Sequence, residues 1–137
     1  MNYLDDWNVC FEIGLNHLGV CERVLGTIRE IRLENIPCSL TVQIREEGFY
    51  QGDKEKFALN TEEYIRISCL CKELGIPFGL ALGPLDRLDW LAVPGISPNF
   101  IKLIGKATND GAFIDRLNST FTCSKYYSVA MASSEYI

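Results

Sequence analysis

The sequence predicts an α/β fold built on a parallel sheet, and three observations carry that expectation. Short apolar runs bounded by glycine, proline or polar residues recur along the chain, in the manner of buried strands. Between them lie stretches whose apolar residues fall three and four apart, the period of a helix packed on one side. The two kinds of segment alternate, and such alternation implies parallel strands joined by right-handed crossovers. A chain of 137 residues is enough for one domain with a sizeable core, spanning residues 1–137. Pattern alone leaves two architectures open: an open doubly wound sheet, complete with five strands, and a (β/α) barrel, which uses about eight strands and about 250 residues. No Gly-x-Gly-x-x-Gly or P-loop follows the first strand, so the usual nucleotide fingerprints are missing.

The first strand is expected over residues 11–15, within an apolar run that breaks at Gly14, Asn16 and His17. One carboxylate, Glu12, stands inside it, and burying a carboxylate is costly without a partner. Either it reaches water at the strand's end, or it points into a site at the C-terminal end of a parallel strand, where such sheets bind ligands. Val24, Leu25, Ile28 and Ile31 then mark a helix from Cys21 to about Asn35, and Pro37 marks its exit. Residues 39–44 form the second strand. The polar stretch 45–59 is long for a connection and is therefore a candidate functional loop. Asn60 with Glu63 makes a capping box for a second helix, whose stripe is Tyr64, Ile67, Leu70, Cys71 and Leu74 and whose stop is Gly75. Residues 77–82 give the third strand, 84–91 a short helix with Trp90 and Leu91 turned inward, and 99–105 the fourth strand. A further helix over 110–117 and a fifth strand over 126–131 complete the series.

Composition removes several function classes. A net charge of −5 without a Lys/Arg cluster argues against a nucleic-acid partner. No apolar run approaches a membrane span, and Met1-Asn2-Tyr3-Leu4-Asp5-Asp6 lacks the basic start of a signal peptide, so a cytoplasmic location is expected. The six cysteines accompany a single histidine, and the spacing Cys69-Leu70-Cys71 does not suit a shared zinc ion on a helix. Free, mostly buried thiols in a reducing compartment are expected.

The string Phe11-Glu12-Ile13-Gly14-Leu15-Asn16-His17-Leu18-Gly19 resembles the first-strand motif of the sialic acid (N-acetylneuraminate) synthase family, Glu-Ile-Gly-x-Asn-His-x-Gly. The likeness continues in order through Gln43, Tyr64, residues 71–78, Asp89-Trp90-Leu91, Ile101-Lys102-Leu103, Asn109 and residues 128–133. The resemblance implies a partial (β/α) TIM-type barrel, with about five parallel strands in the order 1-2-3-4-5 and helices on the outer face. It implies a transferase that condenses phosphoenolpyruvate with an N-acetylated amino sugar such as N-acetylmannosamine, aided by a divalent metal, Mn or Mg. Carried across residue by residue, Glu12 is the catalytic carboxylate beside the sugar and Gln43 a sugar contact. Lys102 and Ser128 hold the phosphoenolpyruvate, because a trianion calls for an ammonium and oriented hydroxyls. The family's metal-ligating histidines correspond to positions beyond residue 137, so no metal ligand is expected within this chain. His17 could line the site, but is expected instead to order its loop by hydrogen bonding.

Departures from the motif accompany the likeness. Thr41 stands where the family has a lysine, Ala81 where a threonine is expected, and Gly105 where a serine is expected. Lys106 stands close enough in sequence to Gly105 to restore a cation. Two functions from different classes follow: a synthase-like enzyme, or a diverged non-catalytic relative that binds a sugar or a protein. The chain alone is expected not to form sialic acid, and to self-associate through open barrel edges. The site residues are expected to gather at one rim, with Glu12 and Lys102 a few ångströms apart.

Overall fold

A computed structural model of the protein describes residues 9–128. Five parallel strands form one sheet in the order β1-β2-β3-β4-β5: β1 Cys10–Ile13, β2 Ser39–Ile44, β3 Phe78–Leu82, β4 Phe100–Leu103 and β5 Ser124–Tyr127. Three α-helices lie between them in sequence: α1 Cys21–Leu33, α2 Thr61–Leu74 and α3 Gly111–Thr120. The strand order and the parallel pairing agree with the sequence-based expectation.

Register and alternation divide the sheet into two faces. Ile13, Leu40, Val42, Ile44, Phe78, Leu80, Leu82, Ile101 and Leu103 share one face. They join a single core with Val24, Leu25 and Ile28 of α1, Tyr64, Ile67 and Cys71 of α2, and Phe113 and Leu117 of α3. Full burial of each such side chain contributes roughly 1.5–3 kcal/mol, so this layer dominates the stability. The opposite face carries Cys10 and Glu12, then Ser39, Thr41 and Gln43, then Gly79 and Ala81, then Phe100 and Lys102, then Ser124 and Tyr126. Polar and very small residues concentrate there.

Local chemistry explains where the elements start and stop. Asn60 accepts the backbone N–H of Glu63 at 2.9 Å while the Glu63 carboxylate accepts that of Asn60 at 3.0 Å, closing the capping box of α2. Gly75 ends the same helix in the left-handed conformation. Asp110 lies outside α3 and caps it, accepting the N–H of Phe113.

Three segments differ from the sequence reading. Residues 84–91 form turns instead of a helix, because side chains occupy the backbone groups that a helix would use. The Glu47 carboxylate accepts the N–H groups of Asp86 and Arg87, while the Arg116 guanidinium donates to the carbonyls of Leu85 and Asp86. The 45–59 stretch contains two 3-10 helices, Glu47–Phe49 and Gly52–Phe57. The fifth strand is paired from Ser124, two residues ahead of its apolar signal, since β4 fixes its register at Phe100↔Ser124. Of the expected strand over 126–131, positions 129–131 lie outside the described residues.

Candidate functional site

The polar sheet face is built from the strands upward. On β2, Ser39-Leu40-Thr41-Val42-Gln43-Ile44 alternates strictly, sending the three aliphatics to the core and the three polar residues to the other side. On β3, the neighbours of Thr41 and Gln43 are Gly79 and Ala81, the smallest residues on this face. Gly79 has a further reason to lack a side chain: a Cβ there would sit 2.5 Å from the Phe100 ring, which lies across it. The Phe100 ring in turn meets Tyr126 edge-on, with centroids 5.9 Å apart.

Glu12 and Lys102 meet over this face, the Lys102 Nζ donating to Glu12 Oε1 at 3.3 Å. Their side chains remain 36% and 34% exposed, so solvent reaches the pair and its strength is on the order of 1 kcal/mol or less. Two strands, β2 and β3, separate them. In a flat sheet that is three strand intervals, about 14 Å between backbones. The two residues also sit two residues apart in register, since Glu12 pairs with Thr41 whereas Lys102 pairs with Ala81 beside Gln43.

Two hydroxyls are buried on the same face. Ser39 Oγ and Thr41 Oγ1 belong to residues with 0% exposure and find no hydrogen-bond partner. A buried, unsatisfied polar group costs about 1–3 kcal/mol, so each is an exception to the usual rule that buried polar atoms are paired.

Of the residues expected to form the site, the structure brings Glu12 and Lys102 into contact. Gln43 is half-buried beside them, its Oε1 within 3.4 Å of where a Cβ on Gly14 would stand. Ser128 follows β5 and its backbone N–H donates to the Leu103 carbonyl, extending the parallel ladder. Lys106 lies near Gln43, as both line a cavity of about 290 Å³ with Arg45, Glu46, Ile104 and Gly105. Arg45 grips Glu46 through two hydrogen bonds, of 3.2 and 3.1 Å. Burial pushes the Glu46 carboxyl up, but the hydrogen bond from Arg45 and the charges of Arg45 and Lys106 outweigh it, and the net direction is down.

His17 belongs to the loop rather than to this face. It is 2% exposed, and its Nδ1 accepts the N–H of Gly19 at 2.9 Å. Burial lowers its pKa, against a smaller opposing effect of the Glu63 charge.

Four of the six thiols are held in their protonated form by burial. Burial raises Cys21, Cys38 and Cys123 and pushes Cys71 up to about 12, so these four are protonated thiols at neutral pH rather than nucleophiles. All six cysteines are free. Among the described residues, no three His, Cys, Asp or Glu side chains converge on a point that could hold a metal ion.

A second, apolar cavity of about 280 Å³ opens on the helix side, beneath the 45–59 loop, with Ile44, Leu59, Tyr64, Leu85 and Trp90 among its walls. The Tyr50 hydroxyl at its edge accepts the Arg45 N–H at 3.0 Å, and the Thr61 hydroxyl donates to the Trp90 carbonyl at 3.1 Å.

Comparison with protein-family models, with curated proteins and with solved structures finds no match to this chain. The site must therefore be argued from its own geometry. Sequence reasoning treated Thr41 only as a missing cation and did not single out Ser39. The alternation of β2 was the available signal, because polar residues at every second position cannot all face a core.

Proposed function

We propose that the chain is a segment of a (β/α) barrel whose inner rim binds an N-acetylated amino sugar and phosphoenolpyruvate, in the manner of a sialic acid synthase. The contact between Glu12 and Lys102 carries this reading. Side chains stand roughly perpendicular to a sheet, so residues about 14 Å apart meet most readily if the sheet curls toward them. Their two-residue offset in register fits the stagger that strands acquire when a sheet closes. A concave face lined by small residues on β3 is what such closure requires.

Within this reading each side chain has a role. Glu12, beside the sugar's carbonyl carbon, relays a proton to the carbonyl oxygen as the methylene carbon of phosphoenolpyruvate bonds to that carbon. Water adding at the former enol carbon releases phosphate. Gln43 contacts the sugar. Lys102, released from Glu12 when ligand arrives, places its ammonium on the carboxylate or phosphate of phosphoenolpyruvate, with Ser128 adding a hydroxyl. A divalent metal, when bound, would stabilise developing negative charge on oxygen. The free thiols and the absence of a membrane-crossing helix among the described residues support a cytoplasmic setting.

A second reading, a sugar-binding relative without catalysis, is favoured by Thr41, Ala81 and Gly105, which supply no charge where a trianion would need it. Ligand-detected NMR on the purified chain tests the first reading. N-acetylmannosamine should bind and be lost on Glu12→Ala, and phosphoenolpyruvate should bind more weakly and be lost on Lys102→Met. Binding of neither ligand, or binding indifferent to both substitutions, would contradict the proposal. Sialic acid formed in the presence of manganese, and abolished by Glu12→Ala, would establish catalysis; sugar binding without product would favour the second reading.

A further inference from the structure

We infer that the apolar cavity beneath the 45–59 loop is a second binding site, and that it takes an uncharged, single-ring compound carrying a hydrogen-bond acceptor. The inference does not rest on the proposed function, because none of the cavity's lining residues belongs to the polar sheet face. Size and walls set the body of the ligand. An apolar cavity of about 150 Å³ already holds a benzene ring, so about 280 Å³ leaves room for a ring with a short substituent. Ile44, Leu59 and Leu85 are buried and supply aliphatic walls. Tyr64 and Trp90 supply an aromatic corner, their planes 49° and their centroids 5.9 Å apart, against which a third ring can stack or stand edge-on.

The hydrogen bonds around the wall set the ligand's polarity. The Thr61 hydroxyl donates to the Trp90 carbonyl, the Trp90 indole N–H donates to the Arg87 carbonyl, and Asn60 is spent in the capping box. The two charges on the wall have opposite signs and are both engaged within the protein. Arg45 holds Glu46 and lies over the Phe49 ring, while Glu47 accepts the N–H groups of Asp86 and Arg87. A charged ligand would therefore lose its hydration without gaining a free counter-charge. Two phenols are differently placed. The Tyr50 hydroxyl accepts the Arg45 N–H, which leaves its own hydrogen to donate. Tyr64 is 2% exposed, and its hydroxyl makes no hydrogen bond among the described residues. Burial, followed by the smaller effect of the neighbouring Tyr50 phenol, pushes the Tyr64 pKa up, so this group stays a donor. A mostly apolar pocket with two such donors suits a ring bearing a carbonyl oxygen, which would satisfy the Tyr64 hydroxyl.

The test is a backbone amide NMR titration of the purified chain with four probes: acetophenone, its hydrocarbon isostere α-methylstyrene, benzoate and benzylamine. Acetophenone should bind saturably, with shifts centred on Tyr50, Ala58, Tyr64 and Trp90. It should bind about tenfold more tightly than α-methylstyrene, which has the same shape but no acceptor, and about tenfold or more above either charged compound. Tyr64→Phe should bring acetophenone down to the affinity of α-methylstyrene and leave the binding of α-methylstyrene unchanged. Because the hydroxyl is unpaired in the free protein, the Tm of Tyr64→Phe should hold. The comparison of the four probes on the unaltered chain needs no variant and stands however Tyr64→Phe folds. No saturable binding of acetophenone, equal affinity for acetophenone and α-methylstyrene, or a charged probe that binds as tightly would each overturn the inference. Acetophenone affinity unchanged in Tyr64→Phe, or a Tm lowered by several degrees, would do so as well. None of these outcomes bears on sugar binding at the polar face, so the two readings fail separately.

Discussion

His17 illustrates how a residue's environment, rather than its type, sets its work. Its imidazole Nδ1 must be unprotonated to accept the Gly19 N–H, and burial lowers its pKa below the ordinary value of 6.5. The unfolded chain therefore takes up the proton more readily than the folded one. The stability contribution is present in full above about pH 6.5 and is lost as pH falls through the folded pKa. Thermal unfolding at pH 7.5 and 5.5 should show a larger loss for the unaltered protein than for His17→Gln; equal losses would show that His17 is not buried as described. Sequence alone favoured a loop-ordering hydrogen bond for this histidine over a place in the site, and the structure supplies its partner, the Gly19 N–H. Glu12 and Lys102 were legible as candidates, being charges inside apolar strands. The orphan state of Thr41 was not, since it depends on what the neighbouring strand fails to supply. Gly79 shows the same dependence: Gly79→Ala should lower the Tm by driving the Phe100 ring aside, at a cost of about 1–3 kcal/mol.

Among the elements, those with chemical punctuation were read best. The Asn60–Glu63 box and Gly75 framed α2 from sequence, and both ends are found as expected. Asn60→Ala should therefore cost about 1 kcal/mol, seen as a lower midpoint in urea with an unchanged slope. The segment after β3 was misread for the opposite reason. Its proline, aspartate and leucine spacing resembles a helix start, but Glu47 and Arg116, 39 and 31 residues from their partners, capture its backbone groups. Long-range capture of this kind leaves no local trace. Glu47→Ala should release the clasp, and amide hydrogen exchange at Asp86 and Arg87 should accelerate while that of α2 stays unchanged.

For the molecule as a whole, periodicity gave the α/β class and the alternation of strand and helix, whereas the order of the strands depends on contacts between distant segments and was expected from the family resemblance rather than from the pattern. Among the described residues, β1 and β5 each pair on one side only. Edges of this kind invite association, and sedimentation across a range of concentrations should show a mass above that of one chain; a monomer at every concentration would contradict this. The central claim is that the polar sheet face, not the apolar cavity under the 45–59 loop, receives the ligand. Backbone amide NMR during titration with N-acetylmannosamine tests it most directly. Saturable shifts centred on Glu12, Thr41, Gln43 and Lys102 are predicted, whereas shifts confined to Tyr50, Tyr64 and Trp90, or none at all, would contradict the claim.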